Sequence, residues 1–174
     1  MQRAPQSLTL KDHRDARGHH RALWARRGGV TLLALIPLFA LLNAFGQRST
    51  ASSAVVAAAR LQVVAPTAAR SGLVYAARFS IVALHELKQA TLVLDPGWAE
   101  QYTVNGLAPQ PLSQGSSNGK LVFGFGHVPQ GKQVTFFLSL QVNPTNFGRR
   151  TQNVWLYDGK RQLLELHRSI TIWP

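Results

Sequence analysis

Eight side chains in the C-terminal two thirds of the chain could move protons or hold a metal: Glu86, Asp95, Glu100, Asp158 and Glu165, with His85, His127 and His167. A pair such as Asp95 and Glu100 would be the minimum for glycoside hydrolysis, where one carboxylic acid protonates the leaving oxygen and the other attacks or activates water. The surroundings of these residues argue otherwise. Asp95 stands in Asp95-Pro96-Gly97 and Asp158 in Asp158-Gly159, turn sequences in which an Asp side chain bonds nearby backbone. The three histidines are scattered, with no H-x-x-x-H pair or nearby Asp pattern that would mark a zinc site or a triad. The chain has no cysteine, which removes disulfides, thiolate metal sites and a thiol nucleophile. It has no P-loop, no G-x-G-x-x-G and no G-x-S-x-G. The expectation is a protein that is not an enzyme, with no catalytic residue, no cofactor and no metal.

A binding surface is more legible than a reaction. Asn143-Pro144-Thr145-Asn146-Phe147-Gly148-Arg149-Arg150 reads as a loop between two strands and mixes rigid, polar, aromatic and cationic residues. Loops at the ends of a rigid scaffold commonly bind. If Trp155 and Tyr157 face outward, they extend this loop into an aromatic and cationic patch suited to an acidic partner, lipid headgroups or an anionic polymer. The candidate partner-binding residues are therefore Asn143, Asn146, Phe147, Arg149, Arg150, Trp155 and Tyr157. The competing reading is a well-capped loop whose Phe147 tucks under the fold. Trp98, after Pro96-Gly97, reads as a lid on the core.

These residues must be positioned by the remainder of the chain, and its N-terminal part is of a different kind. Gly28 to Gly46, GGVTLLALIPLFALLNAFG, contains no charge. A bilayer core takes about 20 apolar residues of helix, with a lower limit near 17, so this run just spans as a transmembrane helix, with Pro37 near its middle. Seven basic residues precede it, from Arg3 to Arg27, against Asp12 and Asp15. The excess of positive charge puts the N-terminus in the cytoplasm and the following domain outside the cell membrane. It accounts for +5 of the +12 net charge without a nucleic-acid partner, since the densest cations abut the apolar run, and the other +7 is spread over the domain. His13, His19 and His20 in this head read as part of a solvated tail near anionic lipid. The alternative is a cleaved signal, for which Ala51-Ser52-Ser53 offers small residues. No G-x-x-x-G lies in the run, so helix pairing has no support there.

Four segments follow from composition: a basic cytoplasmic head over 1–27, the transmembrane helix over 28–46, an Ala/Ser-rich linker over 47–59 and a β-domain over 60–174. In the last, the apolar period is two. Val74 to Leu84 and Gln133 to Asn143 alternate most clearly. Leu61 to Val64, Thr91 to Leu94, Gln101 to Val104, Lys120 to Phe125, Gln152 to Tyr157 and Leu163 to Trp173 also read as strands. Asn105-Gly106, Ser117-Asn118-Gly119, Pro129-Gln130-Gly131 and Asp158-Gly159 punctuate them as turns. The pattern predicts an all-β, antiparallel sandwich of seven or eight strands, with a small barrel as the alternative.

The order YAARFSIVA, ATLVLDPGW, then GKLVFGFGHVPQGKQVTFFLSLQVNP is similar to the Ig-like conserved-repeat domains of bacterial surface proteins. The resemblance covers roughly Val74 to Val142. The stretch VNPTNFGRRTQNV and the final HRSITIWP resemble small single-pass membrane proteins of actinobacteria. The resemblance implies an Ig-like domain anchored outside the cell, and it carries over no catalytic residue. The function expected is an interaction module of the membrane or cell envelope, with the lipid bilayer and an envelope protein as partners. The alternative is a secreted sandwich that binds an anionic polymer or solute, released by cleavage near Ser53.

Overall fold

The computed structural model describes residues 12–41 and 47–174, and the chain divides into two compact units, 1–45 and 46–174. In the first unit, Asp12–Leu41 form one helix of 30 residues, α1, with Pro37 inside it. Thr31 Oγ1 donates to the Arg27 carbonyl at 2.9 Å, a back-bond that favours a local bend. Helix is therefore already present at Asp12, inside the basic head, rather than starting at Gly28. Among the described residues no helix is long and apolar enough to cross a membrane. The expected transmembrane helix over 28–46 is thus not found there: α1 is charged before Gly28 and its described part stops at Leu41, while residues 42–46 lie outside the described residues.

The second unit is an all-β sandwich. Its strands are β1 (Ser49–Val55), β2 (Ala59–Pro66), β3 (Ala68–Arg70), β4 (Val74–Ala83), β5 (Leu87–Leu94), β6 (Tyr102–Ala108), β7 (Ser113–Ser117), β8 (Lys120–Val128), β9 (Gln133–Val142), β10 (Gly148–Thr151), β11 (Val154–Asp158), β12 (Arg161–Leu166) and β13 (Ser169–Trp173). A single 3-10 turn, Pro96–Trp98, interrupts them. One sheet has the order β1-β2-β4-β9-β6, the facing sheet β12-β11-β5-β8-β7, and a small third sheet β10-β13-β3. All pairs are antiparallel except β13 with β3, which is parallel.

Thirteen strands replace the expected seven or eight, and the additions have physical reasons. The linker expected over 47–59 contains β1, paired with β2 from Ser49 opposite Pro66 to Val55 opposite Arg60. Its Ser and Ala side chains carry no hydrophobic alternation, because an edge strand is exposed along most of its length. The strand expected over Leu163 to Trp173 breaks at His167-Arg168 into β12 and β13, which belong to different sheets. The loop expected through Arg150 ends at Phe147, since Gly148–Thr151 pair with β13.

Alternation builds the core where it was strongest. In β4, Tyr75, Ala77, Phe79 and Ile81 point inward, and in β9, Phe136, Leu138, Leu140 and Val142 do the same. Phe79 stands opposite Phe136 in register, with the rings stacked at 4.7 Å. Trp98 packs on Phe79 at 5.1 Å and is fully buried, as expected of a core lid. Phe123 and Phe125 of the facing sheet reach the Phe136 ring at 5.7 and 5.0 Å. Gly97 lies so close to the Thr151 carbonyl that a Cβ there would clash.

Candidate functional site

The two long edges of the sandwich are finished differently. Along one, β1 meets β12 and Arg168 joins the sheets. Its Nη1 donates to the Thr50 carbonyl (3.2 Å), Ser52 Oγ (2.9 Å) and the Val63 carbonyl (3.1 Å), and its Nη2 to the Ala65 carbonyl (2.8 Å). The guanidinium is buried and no carboxylate pairs with it among the described residues. Burial pulls its pKa below the usual arginine value. Beside it, Gln152 Nε2 donates to the Tyr75 hydroxyl at 3.1 Å, and the Tyr75 and Tyr102 rings meet edge to face at 6.2 Å. Burial pushes both phenols up, Tyr75 strongly.

Along the other edge, β6 ends one sheet and β7 ends the other, and they do not pair. A cleft of about 330 Å³ opens between them, lined by Val104, Leu107, Leu121, Phe123 and Leu138 with Gln114 and Ser116 on its polar side. Such a volume with mostly apolar walls and a few polar groups is typical of a binding site. Ser113–Ser117 are exposed throughout and carry no charge or proline, the usual devices that keep an edge strand from pairing with another chain.

The predicted patch is split by the structure. Asn146 is fully buried and holds its loop: its Nδ2 donates to the Gln101 carbonyl at 3.2 Å, and its Oδ1 accepts from Arg150 Nε at 3.4 Å. Arg150 Nη2 also donates to Gln101 Oε1 at 3.0 Å. Asn143 Oδ1 accepts from Thr103 Oγ1 at 3.2 Å. Asn143, Asn146 and Arg150 are therefore loop scaffold, fixed on Gln101, whose φ is +62°. Phe147 does not tuck under the sandwich but stands exposed. Its neighbour Arg149 is exposed too, donating to Ser169 Oγ. Trp155 and Tyr157 are elsewhere, on β11 of another sheet. Trp155 lies under the Lys120 ammonium at 4.1 Å, and the Tyr157 hydroxyl donates to Gln162 Oε1 at 3.2 Å.

The titratable residues are dispersed. His127 Nε2 and Glu86 Oε1 lie 2.9 Å apart on the surface, and Asp158 Oδ1 accepts from the Gln89 amide at 2.7 Å, a bond to β5 from 69 residues away rather than to its own turn. Among the described residues no three His, Asp or Glu side chains come together as a metal site. Sequence reading missed Arg168 and the β6/β7 cleft. In HRSITIWP, Arg168 looks like one more surface cation. The cleft follows from which strands are edges, which alternation does not disclose.

No family model matches the chain, and no curated protein does either. Solved structures show distant likenesses. The third cohesin ScaC of Acetivibrio cellulolyticus, solved with the ScaB dockerin, is 11% identical over 62% of this chain and 94% of its own, with a TM-score of 0.41. A non-cellulosomal cohesin from Archaeoglobus fulgidus is 12% identical over 72% and 85%, at 0.35. AvmM, which catalyses macrocyclization in alchivemycin A biosynthesis, is 9% identical over 74% and 90%, at 0.39.

Proposed function

We propose that this chain is a membrane-anchored, extracytoplasmic interaction module, an accessory subunit of a membrane or cell-envelope complex, which takes its partner along the β6/β7 edge. The observation that carries the reading is that edge: an uncharged β7, paired with β8 on one side only and open on the other, beside an apolar cleft that reaches Leu138 and Phe123. A partner strand added to β7 would gain main-chain hydrogen bonds and could place alternate side chains in the cleft. The anchor part rests on the sequence, the uncharged run 28–46 behind seven cations. We favour this over the secreted alternative because cleavage near Ser53 would cut β1 in mid-strand, between Ser52, which accepts from Arg168, and Ala54.

The test uses the absence of native cysteine. A photo-crosslinker on Ser116→Cys in native membranes is expected to give one discrete adduct, and one on Gln62→Cys, in the opposite sheet, none. No adduct from position 116 would remove the edge as the partner surface. An alkaline phosphatase fused to the C-terminus is expected to be active, and an inactive fusion would overturn the extracytoplasmic placement.

A further inference from the structure

The end of the sandwich at which the chain enters from residue 47 collects large apolar side chains. Ser49 begins β1 opposite Pro66, the last residue of β2. The chain passes through β3 to a turn at Ser71-Gly72-Leu73, with Gly72 at φ +79°, and re-enters as β4. That turn is tied to the ends of two other strands. The Gly72 amide donates to the Val142 carbonyl at 2.9 Å, the Val142 amide to the Leu73 carbonyl at 3.0 Å, and the Ser71 amide to the Trp173 carbonyl at 2.8 Å. Gly148 stands opposite Ile172, which brings Phe147 to the level of Trp173. Phe147 (65% exposed), Trp173 (54%), Val74 (51%) and Leu73 (44%) therefore share this end.

Cations accompany them. Arg70 is in register with Trp173 and exposed, as is Arg149. Glu100, beside Gln101, is the acidic side chain that the loop brings to the same end. Trp and Phe interleaved with Arg is the composition of a membrane interface, where aromatic rings sit at headgroup level and cations meet lipid phosphate.

We propose that this end of the sandwich rests on an anionic lipid surface, with Phe147, Trp173, Leu73 and Val74 among the headgroups and Arg70 and Arg149 on phosphates. The inference rests on the membrane-anchored reading above. Ser49, the first residue of β1, lies at this end, which makes it the end of the sandwich nearest in sequence to the uncharged run 28–46. A protein partner would have no such reason to sit here.

The test places one environment-sensitive fluorophore on the full chain, at Leu73→Cys or Phe147→Cys, with Lys160→Cys as control in the turn between β11 and β12. The chain is reconstituted with phosphatidylcholine vesicles, with and without phosphatidylglycerol, and floated. The labels at 73 and 147 are expected to shift to the blue and to be quenched by headgroup-region nitroxide lipids, more so with phosphatidylglycerol. The label at 160 is expected to stay water-exposed. Arg70→Gln and Arg149→Gln should each weaken the anionic-lipid response, by about fivefold in the ratio of docked to undocked domain. A chain that floats while positions 73 and 147 remain as wet as 160 overturns the docking and leaves the anchor standing. A chain that does not float overturns both.

Discussion

The two long edges of the sandwich solve the same problem in opposite ways. Where β1 meets β12, the sheets are joined by one guanidinium that reaches four oxygens, three of them backbone carbonyls of β1 and β2. Where β6 faces β7, no strand pairing joins the sheets, and core side chains line a cleft instead. The first edge uses a costly buried charge to satisfy carbonyls that would otherwise lose water without compensation. The second leaves apolar surface and edge backbone uncompensated in the isolated chain. The difference separates a structural edge from one available to a partner.

Three measurements would break or sharpen that contrast. Arg168→Met, which keeps much of the volume but strands four acceptors, should lower the unfolding free energy by about 3 kcal/mol or more in chemical denaturation. A loss below about 1 kcal/mol would mean that Arg168 does not hold the edge. Next, the same truncation should cost more on the joined side. Leu61→Ala, fully buried in β2, should cost about 3 kcal/mol, and Leu107→Ala, on the cleft wall, about 1 kcal/mol. Equal losses would show the cleft to be as tightly packed as the core. The smallest effect concerns the polar group next to Arg168. Burial raises the pKa of Tyr75 in the folded protein, so its contribution is fully present below the unfolded tyrosine value of about 10. That contribution is lost as pH rises beyond it, by about 1.4 kcal/mol per pH unit. Between about pH 9 and pH 11, Tyr75→Phe should lose less stability than the parent chain. Identical slopes would remove Tyr75 from the linkage.

The sequence disclosed what burial writes into it. Gln133 to Val142 alternates because every second side chain of β9 meets the facing sheet, and that strand was read to within a residue. β1 and β7 were invisible for the converse reason: STASSAV and SQGSS lie at sheet edges, where side-chain burial imposes little pattern. The site followed the same division. The exposure of Arg149 and the mix of residues in its loop were legible, but Asn146 and Arg150 are spent on Gln101, a contact 45 and 49 residues distant in sequence. Trp155 is close to the loop in sequence and belongs to another sheet. Leu73 and Trp173 join Phe147 only through strand register, which no local spacing encodes.

Arg168 also sets a timetable. Its bond to the Thr50 carbonyl closes a separation of 118 residues, and β13, which immediately follows it, lies between β10 and β3 in its small sheet. Non-local contacts of this kind are made late and slowly. The earliest strand of the sandwich thus waits, unjoined to the facing sheet, until almost the whole chain has been delivered. A sandwich delivered strand by strand from β1 would stay open and pliable through most of its synthesis, and would lock only as its last strands arrived.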